Sequence, residues 1–264
     1  MISLLLYPFL ACVILTLIHV YFGIHVLRRG IIFIDLALAQ FAAFGGLVAS
    51  FFVQGEPHLA CYGISFLFTL VGAAIFSLSS RFNHVRQEAM IGIYYVLLSA
   101  ISIIVISRFG LDPHELHHML VGDLLFVTPQ DIAFSTLLYL GIGGIHWIFR
   151  HAFFNQLQSK LWQFLFYATF GLVVTSSVKL GGVLLVFSLL IIPVFISTLF
   201  TKSISKSVIM GWGLGILGSL IGLVASVSLD IPTGASIICA LGLMFMIAVL
   251  LCYHGRSYES ESVF

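Results

Sequence analysis

One acidic side chain stands in a stretch that is otherwise almost wholly apolar. Asp35 lies in RRGIIFIDLALAQFAAFGG, with Gln40 five residues on. A carboxylate inside an apolar helix is costly unless it has a partner or an ion to hold, which makes it a functional candidate by default. Asp35 would attract or coordinate a cation, and Gln40 would add an amide oxygen. On a regular helix, positions five apart lie about 140° from one another; a π-bulge between them would bring them onto one face. The competing role for Asp35 is structural, as an ion-pair partner of Arg28 or Arg29 or as a cap on its own helix.

A second concentration of chemistry is LDPHELHHMLVGDLLFVTPQD, which carries His114, Glu115, His117 and His118 between Asp112 and Asp123. Imidazoles and carboxylates at this density suit a borderline cation such as zinc. His114 to His118 also reads as HExxH, the zinc-protease pattern of two His one turn apart with Glu as general base. No third ligand is evident beside it, and the protease reading is the lesser one. His19 and His25, in the first apolar stretch, fit hydrogen bonding across helices better than metal ligation. There is no GxxxxGK[ST] phosphate cradle and no GxSxG elbow, so neither ATP hydrolysis nor serine-type hydrolysis is expected of this chain. No cofactor of its own is expected.

The elements that must position these residues are membrane helices. Of 264 residues, 61% are hydrophobic and 8% charged, against roughly 25% charged in soluble domains. The apolar runs exceed the length of about 10 residues that a barrel strand needs, so the class is all-α and polytopic. Nine spans are expected, near 4–27, 31–53, 59–80, 90–107, 131–149, 161–178, 182–200, 208–228 and 234–252, with an eight-span arrangement as the alternative. The first run lacks a basic flank and a cleavage site and reads as a retained span. No soluble domain fits, so residues 1–264 read as one transmembrane domain. A net charge of +1 implies no nucleic-acid partner. Cys12, Cys61, Cys239 and Cys252 form no CxxC pair.

With the N-terminus outside, nine of the eleven Lys and Arg fall on the inner side, leaving Arg108 and Lys179 outside. The segment after the Pro193 run, Phe200, Thr201, Lys202, Ser203, Ile204 and Ser205, is then cytosolic. Gly211/Gly215 and Gly218/Gly222 have the spacing that lets helix backbones approach. The 25 Phe and 9 Tyr are expected mainly at lipid-facing and interfacial positions.

Five stretches, in order, resemble the permease subunits of ATP-binding-cassette importers for zinc, manganese and iron. They are HVLRRGIIFIDLALAQFAAFGG, RQEAMIGIYY, HHMLVGDLLFVTPQDI, VKLGGVLLVFSLLIIPVFISTLF and SLDIPTGASIICALGLMF. Together they cover most of the chain. The resemblance implies a multi-pass protein of the cell's inner (cytoplasmic) membrane. It implies a second permease copy, two cytosolic ATPases that use the ATP, and an external metal-binding protein that delivers a divalent metal ion. It makes Phe200 to Ser205 the segment that contacts the ATPase. The family carries Asp and His four apart in the second span. Here Asp35 leaves Ala39 at the His position, or Gln40 takes the His position and Leu36 falls where the Asp belongs. With the imidazole missing, an oxygen-rich site suits manganese or iron(II) better than zinc. A permease for a metal chelate or siderophore is the alternative cargo class.

Overall fold

The computed structural model describes residues 2–52, 58–79, 84–109, 122, 124–155 and 159–261. Among them the chain is helical, without strands. The helices are α1 (Ile2–Arg29), α2 (Ile34–Phe52), α3 (His58–Ser79), α4 (His84–Phe109), α5 (Pro129–Ile148), the short α6 (Arg150–Asn155), α7 (Lys160–Phe200), α8 (Ile204–Leu229) and α9 (Thr233–Glu261), with one 3-10 turn at Leu124–Phe126. Eight of them are long and apolar enough to cross a membrane.

One of these eight is two crossings. At 41 residues, a straight α7 would run roughly 60 Å, about twice the hydrocarbon thickness. It is not straight: Gly182 has φ 76° and ψ 161°, a region that is essentially glycine-only. The packing shows that the chain reverses there. Phe22 of α1 touches Phe166 and Phe170, before the break, while the next residue, Gly23, lies against Leu190 and Val194, after it. The tip at Gly181 sits by Leu15, two turns back along α1. The arm α7a (160–181) therefore runs antiparallel to α1 and the arm α7b (183–200) parallel to it. The described residues thus hold nine crossings, close to the expected bounds.

Gly122, at φ 69°, seats its Cα directly on the backbone of Gly181 and Gly182. From there a capping box starts α5: the Thr128 side chain accepts from the Asp131 N–H, and the Asp131 carboxylate accepts from the Thr128 N–H. The glycine stripes of α8 face two different helices. Gly211 and Gly215 meet Val20 and Thr16 of α1, whereas Gly218 and Gly222 meet Leu241 and Ile237 of α9. With no hydrophobic drive between helices in lipid, such close backbone approach is what holds them.

Most phenylalanines among the described residues are exposed or half-buried, as expected, and a smaller set lies inside. Phe22, Phe76, Phe153, Phe166 and Phe170 are among the largest fully buried side chains. They pack in the protein interior because a ring as apolar as lipid gains dispersion contacts wherever helices leave space for it.

Candidate functional site

α2 positions the one carboxylate that is buried among the described residues. It packs against α3, α4 and α7, and nearly all of its first half is buried. Phe41 is wedged against Gly72, Phe76 and Tyr94, and Gly45 lets the backbone of Ser65 approach. In that setting Asp35 is 0% exposed, and neither carboxylate oxygen has a hydrogen-bond partner. Gln40 is also buried, with its amide oxygen unpartnered.

The structural role for Asp35 does not materialise. Arg29 is otherwise engaged: it donates to the Phe153 carbonyl at 3.2 Å and lies 3.9 Å above the Phe166 ring. Arg28 lies over Phe154. Asp35 makes no capping bond to its own helix. The helix start is supported instead by Glu88, whose carboxylate accepts from the Ile32 N–H at 3.1 Å. α2 is regular throughout, without a π-bulge. Asp35 and Gln40 therefore stand about 140° apart, separated by roughly 7.5 Å of rise. They belong to two sectors of one buried helix, not to one pair.

The histidines divide. His19 uses Nδ1 to donate to the Leu15 carbonyl at 2.8 Å, and its Nε2 is buried without a partner. His25 lies in a ring cluster with Tyr21, Phe154 and Phe166. That cluster includes a histidine the sequence reading did not single out. His146 of α5 stacks on Phe153, takes the Tyr21 hydroxyl on Nδ1 at 3.2 Å, and meets Thr169 through Nε2 at 2.8 Å. Both ring nitrogens of His146 are thus occupied, and Arg29 is close by. That arrangement cross-links α1, α5 and α7a and disfavours a second cation. Among the described residues no three His, Cys, Asp or Glu side chains gather in the manner of a metal centre. His114, Glu115, His117 and His118 lie outside the described residues.

The segment Phe200 to Ser205 is a tight link. Only Thr201, Lys202 and Ser203 are non-helical; Phe200 ends α7b, and Ile204 and Ser205 open α8. The Thr201 N–H donates to the Ser197 carbonyl and the Ser203 N–H to the Thr201 hydroxyl. Lys202, Ser203, Ile204 and Ser205 are exposed. α7b, the link and α8 consequently form one continuous unit that turns at a short, polar, exposed corner.

Comparison with known proteins places this architecture. A probable metal transport system membrane protein of Chlamydia pneumoniae is 28% identical over 252 residues, covering 89% of this chain and 83% of that protein. The manganese transport system membrane protein MntC of Listeria monocytogenes is 24% identical, covering 84% of each chain. A probable iron transport system membrane protein of Haemophilus influenzae is 26% identical, covering 79% of each. Among solved structures, PsaBC from Streptococcus pneumoniae in complex with Fab superposes with a TM-score of 0.74 at 22% identity, over 93% of this chain and 90% of that one. A putative metal-chelate type ABC transporter in an inward-facing conformation gives 0.71 at 18%, over 93% and 85%. These two likenesses show a shared fold. The model of the ABC 3 transport family matches residues 1–252, and this chain, a multi-pass membrane protein, belongs to that family.

Proposed function

We propose that two copies of this chain form the membrane pore of an ATP-driven importer for a divalent transition-metal ion. The observation that carries this reading is Asp35, a carboxylate with no exposure and no partner in a largely buried helix of a family member. An unpaired buried charge is a standing cost unless a cation visits it. Asp35 attracts the ion as it passes, and the carbonyl oxygen of Gln40 serves it at a neighbouring depth. These are oxygen donors, which suit manganese or iron(II) ahead of zinc. Manganese and iron are also the ions in the names of the Listeria and Haemophilus relatives.

The chain supplies the path, and separate cytosolic ATPases supply the work. They press on the corner Phe200, Thr201, Lys202, Ser203, Ile204 and Ser205, and the continuous α7b–α8 unit carries the displacement into the bundle. An external metal-binding protein presents the ion, with His114, Glu115, His117 and His118 as its first receivers. The whole of residues 1–264 acts as one permease domain in the cytoplasmic membrane.

The docking claim has its own test. Replacing Lys202 and Ser203 by Glu is expected to strip the ATPase from the purified permease while the permease itself still elutes as one species. Co-purification of the ATPase at an unchanged ratio would remove the corner from the interface. A metal chelate is the second cargo reading, favoured by the likeness to the metal-chelate type transporter. Competition by free Mn(II), Zn(II) and Fe(II) separates the two, because a chelate carrier ignores the free ions.

A further inference from the structure

The junction of α1, α7b and α8 contains polar atoms that the metal path does not use. On α1, Cys12, Thr16, His19 and Gly23 fall within roughly 60° of one another and share a face. Gly215 of α8 leaves room for Thr16, Cys12 lies beside Ser219, and Gly23 abuts Leu190 of α7b. Thr16, His19 and Ser219 are each 0% exposed; Thr16 Oγ1 and His19 Nε2 lack a partner, and Ser219 Oγ has only the Cys12 thiol beside it. Because His19 Nδ1 holds the proton given to Leu15, the neutral ring offers Nε2 as an acceptor.

The third wall adds one more group. Pro193 has no N–H, so the carbonyl of Leu189 one turn back loses its helical donor. The Pro193 ring faces this same seam, its Cγ 3.4 Å from where a Cβ on Gly215 would stand. Two hydroxyls and an imidazole nitrogen thus lie along this seam, beside the turn that Pro193 leaves one hydrogen bond short, near the middle of three membrane-spanning segments. Each such group left bare is destabilising. A seam of neutral donors and acceptors, with no carboxylate, matches water and not a cation.

We propose that this seam holds bound water anchored by Thr16, His19 and Ser219, and that it is the joint on which the α7b–α8 unit shifts against α1. Water can exchange hydrogen bonds as the helices move, whereas a fixed side-chain pair would have to break. The first half of the proposal is independent of transport; the second rests on the importer reading given above.

Cys12 is the reporter, since a thiol reacts with methanethiosulfonate only as thiolate, which needs water. In the assembled transporter, with Cys61, Cys239 and Cys252 replaced by Ser, Cys12 is expected to be modified. Thr16→Val, which leaves Ser219 beside the thiol, should slow that modification by about 10-fold or more, the kinetic equivalent of about 1.4 kcal/mol. Thr16→Ser, which keeps the hydroxyl, should restore the rate and controls for disturbed folding. Equal rates in the native and Thr16→Val chains would overturn the water site, as would failure of Thr16→Ser to restore. A rate that does not change when the ATPase is held with a non-hydrolysable nucleotide would overturn the joint, even where metal uptake itself is intact.

Discussion

A chain carrying Asp35→Ala is expected to insert, assemble and stay at least as stable as the native chain, yet to lose metal uptake. The two halves of that result have opposite physical origins. In the resting bundle the carboxylate makes no hydrogen bond or ion pair among the described residues. Deleting it breaks nothing and removes a buried group whose desolvation costs about 1–3 kcal/mol. The melting temperature in detergent should therefore hold or rise. During transport, however, the same oxygens are the charge that makes a dehydrated divalent ion tolerable inside the bundle. Losing about 3 kcal/mol of that attraction lowers uptake by roughly 100-fold. Asp35→Asn, which keeps shape and loses charge, should fail as badly. Gln40→Ala should cost less, since an amide oxygen is a neutral ligand. A drop in melting temperature with uptake retained would make Asp35 a structural residue.

Gly182→Val is expected to abolish the folded permease. The backbone there, at φ 76° and ψ 161°, is closed to any residue with a Cβ, and a β-branched side chain is the worst case. Strain of this kind is worth about 1–3 kcal/mol for a single residue. Here it falls on the one-residue hinge that turns α7a into α7b, with Gly122 pressed on its backbone. Relaxing Gly182 toward helical angles would straighten a 41-residue segment that must fold back to fit the bilayer. Size-exclusion profiles of the detergent-extracted protein should show aggregate in place of the native peak. Gly181→Ala is the control. Its new methyl would meet only the ends of Leu185 and Leu15 side chains, at 3.1 and 3.3 Å, and the native peak should survive. Native behaviour of Gly182→Val would show that the reversal does not depend on glycine.

Much of this was legible from the chain alone. Hydropathy placed the nine crossings because lipid forces every span to be apolar for its full length. That includes the pair joined at Gly182, where Lys179, Gly181 and Gly182 already marked a turn. The α8 glycines announced close packing, though not that alternate pairs serve α1 and α9. What stayed hidden is what depends on partners distant in sequence. The same hydropathy covers a Phe facing lipid and one facing the core, so the smaller, buried ring set around Phe22 could not be picked out. His146 carries no local signal that it will meet Tyr21 and Thr169, 125 and 23 residues away. Asp35 was legible as an intrusion of charge. Its lack of an arginine partner was not, because that depends on Arg29 turning to Phe153 and Phe166.

The most direct test of the importer itself is accumulation of radiolabelled metal in vesicles that contain this permease with its co-purified ATPase and binding protein. Mn(II), Fe(II) and Zn(II) are offered in turn, with and without ATP on the ATPase side. At least one ion should accumulate only when ATP is present, and the Asp35→Ala permease should not accumulate it. Accumulation without ATP, or none for any of the three ions with ATP supplied, would contradict the account.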